Sequence, residues 1–326
     1  MLTDSGDARL HGVKNENICY LLASVVCLGW LVAPGKTQER TRIAKDRGFN
    51  LSTEGDAESC ADLRVRSNNG EIAQTSESFS LRKSEAPLLE LNAAEHGHIR
   101  VRGWDRPDYA VETCKVAAAQ TRAAAEQMIR SIAISHSAGR VSFSGPISDA
   151  GNWTAFFIIH APKDATLDLE AKNGPIEVRD VTGVIKLRAS NGPVAIKDCA
   201  GVIEAHTTNG PIAFSGDRGE VRLNAQNGPI ALKLAGEAWN GSQLVARTIN
   251  GPLALSLPEN FRSGIRLETS GHSPVSCSAA PCRNAWSDAG RGSRTLQMNG
   301  GSDTVRISTE NGPVAVHTEG KTKRII

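Results

Sequence analysis

Aromatic residues are scarce in this chain. Only 4% of its 326 residues are Phe, Trp or Tyr. A thick core packed around large rings is therefore excluded, and 31 glycines fit a thin interior filled by stacked aliphatic side chains. An excess of either charge is also missing. Thirty-seven Lys and Arg against 35 Asp and Glu leave a net charge of +2. That balance gives no footprint for nucleic acid and no strong field toward a membrane. Enzyme signatures are missing as well: there is no Gly-x-Ser-x-Gly, no His-Glu-x-x-His and no phosphate loop. The sequence therefore names no catalytic residue, no metal ligand and no cofactor.

Long apolar runs are absent except for one, Ile18–Ala33. It is short for a spanning helix and suits the core of a signal peptide, with cleavage expected after Gly35. An N-terminal membrane segment is the other reading of residues 1–35. The basic residues Lys36, Arg40, Arg42, Lys45 and Arg47 follow the run, which disfavours an anchor whose C-terminal side is exported. Either reading places the protein in the periplasm, on the outer membrane or at the cell surface. Residues 36–60 are polar and aperiodic and read as a linker.

What the chain has in abundance is a repeat. Asn-Gly-Pro begins at Asn173, Asn191, Asn209 and Asn227, a spacing of 18 residues, and again at Asn250 and Asn311. A fixed short period marks stacked supersecondary units. Six, four and two residues before each Asn the chain reads Leu167, Leu169, Ala171, then Ile185, Leu187, Ala189, then Ile203, Ala205, Thr207, then Val221, Leu223, Ala225. Three and five residues after it come Ile176 and Val178, Val194 and Ile196, Ile212 and Phe214, Ile230 and Leu232. Each unit is two short strands of period two around a corner.

Hairpins are the usual reading of Asn-Gly between such strands. A strict repeat argues instead for parallel stacking, because only then do like residues meet in register at about 4.8 Å per rung. By the count of two, the Asn side chains point inward and bond to one another as a ladder. Gly is expected at the corner for its positive φ, and Pro at a position that needs no N–H. Position −5 alternates in sign, Asp168, Lys186, Glu204, Arg222, as suits a solvated face. Position +4 reads Glu177, then Ala195, Ala213, Ala231, Ala254 and Ala315, a flat column.

The fold class is thus all-β: a right-handed parallel β-helix or solenoid of roughly 18-residue rungs over residues 61–320. Degenerate rungs are expected at Leu63–Ile72, at Leu89–Val101 and at Ile265–Gly271. One helix is expected over 115–131, KVAAAQTRAAAEQMIRS, on its alanine content. Residues 272–300 read as an inserted loop and 321–326 as a basic tail.

Seven cysteines occur, and two of them, Cys19 and Cys27, lie in the apolar run. Cys277 and Cys282 are close in the inserted loop, and a local disulfide is expected in an exported protein. The pairing of Cys60, Cys114 and Cys199 cannot be read from sequence. His96 and His98, two apart, and His272 near the loop cysteines are weak metal signals. Asp180, Asp198 and Asp217 at the second corner offer Ca²⁺ or acid–base chemistry, against the commoner role of Asp in turns.

Gly97-His98-Ile99-Arg100-Val101, Gly103-Trp104-Asp105, the short helix, and Ala161-Pro162 leading into the Asn-Gly-x-Ile-x-Val rungs resemble a bacterial putative-adhesin family of unknown function. The resemblance covers roughly residues 60–320. It implies a single-stranded, right-handed parallel β-helix in the cell envelope and brings no catalytic residues. The expected function is a non-enzymatic envelope protein, adhesive or structural, that binds a protein or glycan partner and no nucleic acid. The alternative is a carbohydrate-active β-helix enzyme, a polysaccharide lyase or hydrolase.

Overall fold

The computed structural model describes residues 43–46, 49–53, 57–67, 70–93, 97–146, 151–270, 273–290 and 292–319. The apolar run 18–33, the expected cleavage site, His96, His272 and the tail 321–326 lie outside them. No helix among the described residues is long and apolar enough to cross a membrane.

Among the described residues the chain is all-β, with two large sheets and one α-helix. After Pro162 it alternates between the sheets. The strands Thr166–Ala171, Val184–Ala189, Val202–Thr207, Arg218–Ala225 and Asn240–Asn250 lie side by side in the first sheet, all parallel. Ile176–Arg179, Val194–Lys197, Ile212–Gly216, Ile230–Leu234 and Leu253–Leu257 do the same in the second. Register is kept residue for residue, so Leu167 lies beside Ile185, and Ile185 beside Ile203. The side chains that alternate inward are buried without exception: Leu167, Leu169, Ile185, Leu187, Ile203, Val221 and Leu223 from one sheet, and Ile176, Val178, Val194, Ile212 and Ile230 from the other. They form one continuous aliphatic core between the sheets. Leu88–Ala93 and His98–Trp104 begin the series, parallel to Thr166–Ala171 and Ile176–Arg179.

Leu63–Ile72 does not join the series. Leu63–Ser67 pairs antiparallel with Phe49–Thr53, inside what reads as linker. Glu71–Arg82 is a long strand antiparallel to Asp108–Ala119. This segment lacks the corner Pro, and antiparallel pairing wins there. The helix also differs from its expected span. Lys115–Ala119 finishes the strand Asp108–Ala119, and the helix is Arg122–Arg130. Ala117–Ala119 sit between two long strands, Glu71–Arg82 and Gly151–Pro162, with full ladders on both sides. Tertiary pairing overrides the helix preference of alanine there. Thr121 sets the true start, its hydroxyl accepting from the Ala124 N–H at 3.2 Å.

The C-terminal rung shows the most unusual topology. Val305–Asn311 pairs in parallel with Asn240–Asn250 on one side and Ile265–Ser270 on the other. Val314–Thr318 sits in the same way between Leu253–Leu257 and Val275–Cys277. The rung last in sequence is therefore inserted ahead of the rung that precedes it. The expected loop 272–300 is largely ordered structure. It holds the strand Val275–Cys277, a 3-10 turn Ala280–Asn284, and the antiparallel strands Trp286–Gly290 and Ser293–Met298.

Candidate functional site

The six Asn-Gly-Pro corners stack into three columns. Each Asn Nδ2 donates to the Oδ1 of the Asn one rung back: Asn191 to Asn173 at 2.7 Å, Asn209 to Asn191 at 2.8 Å and Asn227 to Asn209 at 3.0 Å. Asn250 donates to Asn227, and Asn311 to Asn250, both at 2.9 Å. The inserted last rung thus completes the chain of amides.

The asparagines are not inward. Asn191, Asn209, Asn227, Asn250 and Asn311 are exposed, and Asn173 is half-buried. At the corner the alternation slips by one, and it is Gly that turns in. Nor do these glycines adopt positive φ, since none of the six is among the positive-φ residues. They are needed for close approach instead. A Cβ on Gly192 would lie 2.0 Å from the Gly174 carbonyl oxygen, and one on Gly210 2.1 Å from that of Gly192. Where Thr replaces Ala two residues before the Asn, its hydroxyl bonds a glycine carbonyl: Thr207 to Gly210 at 2.7 Å and Thr248 to Gly228 at 2.9 Å.

Beside the ladder runs the outer face of the second sheet. Pro193, Pro211, Pro229, Pro252 and Pro313 are exposed in one column. Their missing N–H costs nothing at the strand entry, and their carbonyls still accept from the previous rung, as Pro211 does from the Val194 N–H at 2.9 Å. Next comes the alanine column, Ala195, Ala213, Ala231, Ala254 and Ala315 in register, none of them buried. A third column reads Lys197, Ser215, Lys233, Ser256 and His317. The face is flat, small-featured and polar along both margins. The outer face of the first sheet differs, being crowded with paired charge such as Arg188–Asp168, Arg222–Glu220 and Arg247–Glu310.

Toward the first rungs the flat face ends in a cluster of Arg100, Arg102, His160, Glu177 and Arg179, which lines a small cavity with Ala57 and Glu58. Arg100 Nε donates to Glu177 at 2.9 Å and its Nη1 to the Ala57 carbonyl at 3.0 Å. Arg102 pairs with Glu58. Trp104 stacks on His160 on one side and carries the Arg106 guanidinium at 4.7 Å, so its ring is engaged already. Burial, and then Arg102, lower the His160 pKa. His98 is buried beside this cluster. Desolvation, with the Arg100 charge second, pushes its pKa down to about 3, and its Nε2 has no partner among the described residues.

The sequence candidates for chemistry come apart in space. Asp180 and Asp198 occupy equivalent corners at φ 60° and 53°, the left-handed turn conformation that Asp tolerates. Asp217 is not their equivalent, because Gly216 stands at that register position. Among the described residues no three His, Cys, Asp or Glu side chains are grouped to hold a metal ion. Cys277 and Cys282 form a disulfide. A second bridge, Cys60–Cys114, was unreadable from sequence because its partners lie 54 residues apart. Cys199 is a free, buried thiol, and burial pushes its pKa up to about 11.

No family model matches this chain, and no curated protein matches it. Solved structures similar to it include a putative adhesin from Bacteroides fragilis, 11% identical over 75% of this chain and 97% of that one, with a TM-score of 0.36. A putative cell adhesion protein from Clostridium sporogenes is 12% identical over 76% of this chain and 99% of its own, at a TM-score of 0.31. A putative adhesin from Parabacteroides merdae is 10% identical over 76% and 98%, at 0.36. At this distance the likeness assigns neither family nor activity.

Proposed function

We propose that the chain is a right-handed parallel β-solenoid of the cell envelope that works as a non-enzymatic binding module, with the flat outer face of the second sheet as its contact surface and a protein or glycan as its partner. The right hand is what parallel crossovers adopt in nearly all folds. The observation that carries the reading is the pair of outward Pro and Ala columns, the prolines exposed and none of the alanines buried, in register over five rungs. A flat apolar strip with polar margins is the usual make-up of a recognition surface. Export is supported by two disulfides, which are common in exported proteins and rare in the cytosol.

The test is retention of the protein on envelope fractions and immobilised glycans. Ala213→Arg and Ala231→Arg, which raise bulk and charge in mid-face, are expected to abolish retention. Glu204→Arg on the opposite sheet is expected to leave it intact. Equal retention by all three would remove the face from the reading. Cell fractionation that recovered the protein in the cytosol with both bridges reduced would remove the envelope.

A further inference from the structure

We propose that the chain forms a two-fold dimer by antiparallel pairing of the edge strand Glu71–Arg82 with its copy. Among the described residues the large sheets have four edges, and three are blunted. Val275–Cys277 has three residues and is followed by the Cys277–Cys282 bridge. Ala133–Ser137 and Trp286–Gly290 have five residues each and are arms of hairpins. The fourth edge, Glu71–Arg82, has 12 residues and pairs only with Asp108–Ala119, in unbroken register. It spans roughly 40 Å at the rise of an extended strand. Proteins guard such an edge with charged side chains, Pro or a bulge. This one has no Lys, Pro or bulge, its charges Glu71 and Arg82 stand at its two ends, and the single mid-strand charge, Glu77, is bonded to Lys115 of its own chain.

The occupant of such an edge must offer alternating N–H and C=O groups, which only an extended polypeptide does. The side chains here favour a second copy. Thr75, Ser76, Ser78 and Ser80 are exposed and small, so they admit a neighbouring strand at sheet spacing. A two-fold axis between antiparallel strands runs perpendicular to the sheet and keeps the inner faces of both copies on one side. Residues of like parity therefore oppose one another. Only registers centred on Ser76 or Glu77 use nearly the whole strand. The Glu77 register sets two carboxylates face to face, which is destabilising. The Ser76 register sets Glu77 opposite Thr75, Gln74 opposite Ser78 and the half-buried Phe79 opposite Ala73. Glu77 keeps its bond from Lys115 Nζ at 2.8 Å there. Charge thus selects one register, and two-fold pairing is the commonest form of self-association.

The experiment measures the mass in solution of the full chain and of two single-cysteine additions, Ser76→Cys and Glu77→Cys, under mild oxidation. The wild type is expected to be a dimer. Ser76→Cys sits on the axis and is expected to cross-link it quantitatively. Glu77→Cys is offset by two residues from its copy and is expected not to. Ser76→Lys, which opposes two ammonium groups on an exposed site, is expected to give a monomer with unchanged circular dichroism, its melting temperature independent of concentration where that of the wild type rises with it. A wild type that stays monomeric at the highest concentration it tolerates would overturn the proposal, as would a dimer that Ser76→Cys fails to cross-link.

Discussion

At the scale of the residue, the corner reverses the roles that alternation assigns. Asn209 is exposed, and its two ladder bonds compete with water. Its replacement by Ala is expected to cost less than about 1 kcal/mol, as for solvated hydrogen bonds. Gly210→Ala forces a Cβ to 2.1 Å from the Gly192 carbonyl oxygen and 2.7 Å from its carbon. Neither atom can yield without breaking the ladder, so a loss of about 1–3 kcal/mol or more is expected from overpacking. Denaturant unfolding of the two variants checks the order, and an Asn209→Ala loss larger than that of Gly210→Ala would reverse these assignments. His98 gives a second prediction. Its folded pKa, near 3, lies below the ordinary value of 6.5, so the unfolded chain binds the extra proton first. Its contribution is therefore full above pH 6.5 and is lost as pH falls toward 3, with a slope of up to about 1.4 kcal/mol per pH unit. His98→Phe is expected to flatten that part of the stability–pH curve. An unchanged slope would mean that His98 is protonated in the native state.

At the scale of the element, the inserted rung makes an unusual demand on a C-terminal segment. Val305–Asn311 has parallel partners on both sides, and Ile307 and Val316 are buried. Chain ends commonly fray. Here the amides of Ile307 and Val316 are expected to exchange with solvent as slowly as that of Ile203 in mid-array, while those of Val275–Cys277, at the sheet edge, exchange faster. Hydrogen exchange read by peptide or residue settles the order, and fast exchange at Ile307 would mean that the insertion is absent in solution. This element also marks where sequence reading stops. The parallel array was legible because Leu167, Ile185, Ile203 and Val221 repeat at one spacing and each spacing maps to one rung. The rung order after Asn250 was not, because Ile265–Gly271 and Val305–Asn311 fit the same template and sequence order favours the nearer one. Alanine content does not locate the helix start, because alanine serves a crowded central strand, as at Ala117–Ala119, as well as a helix. A count of two puts the corner Asn inward, but the count fails where the chain turns, and Asn faces out. The flat face was half legible, its alanine column being plain and the exposure of its prolines not.

At the scale of the molecule, the array contacts only nearest neighbours, so its stability resides in the stacked rungs and its weak points are the ends. Each end carries a disulfide, and the two are not equivalent. Cys60–Cys114 holds the segment 57–67 across the outer face of the long strands, where Ala57, Cys60 and Leu63 pack on Val116, Phe156 and Ile158. The Cys60 N–H also donates to Glu112 at 3.1 Å, and Gln74 Nε2 to the Cys60 carbonyl at 3.3 Å. Cys277–Cys282 closes a span of only five residues. If the bridges act by restricting the unfolded chain, closure over 54 residues is worth about 4 kcal/mol and closure over five about 2. Removing the first bridge also loosens the segment that covers Val116, Phe156 and Ile158, whereas the second closes a single short turn packed on the end of the main core. Cys60→Ala with Cys114→Ala is therefore expected to lower stability well beyond Cys277→Ala with Cys282→Ala and to raise binding of a hydrophobic dye as Phe156 and Ile158 open to water. Denaturant unfolding and dye fluorescence on the two double variants measure both effects. Equal losses, or a larger one from the short loop, would show that the segment 57–67 is held by its packing and hydrogen bonds without help from the bridge.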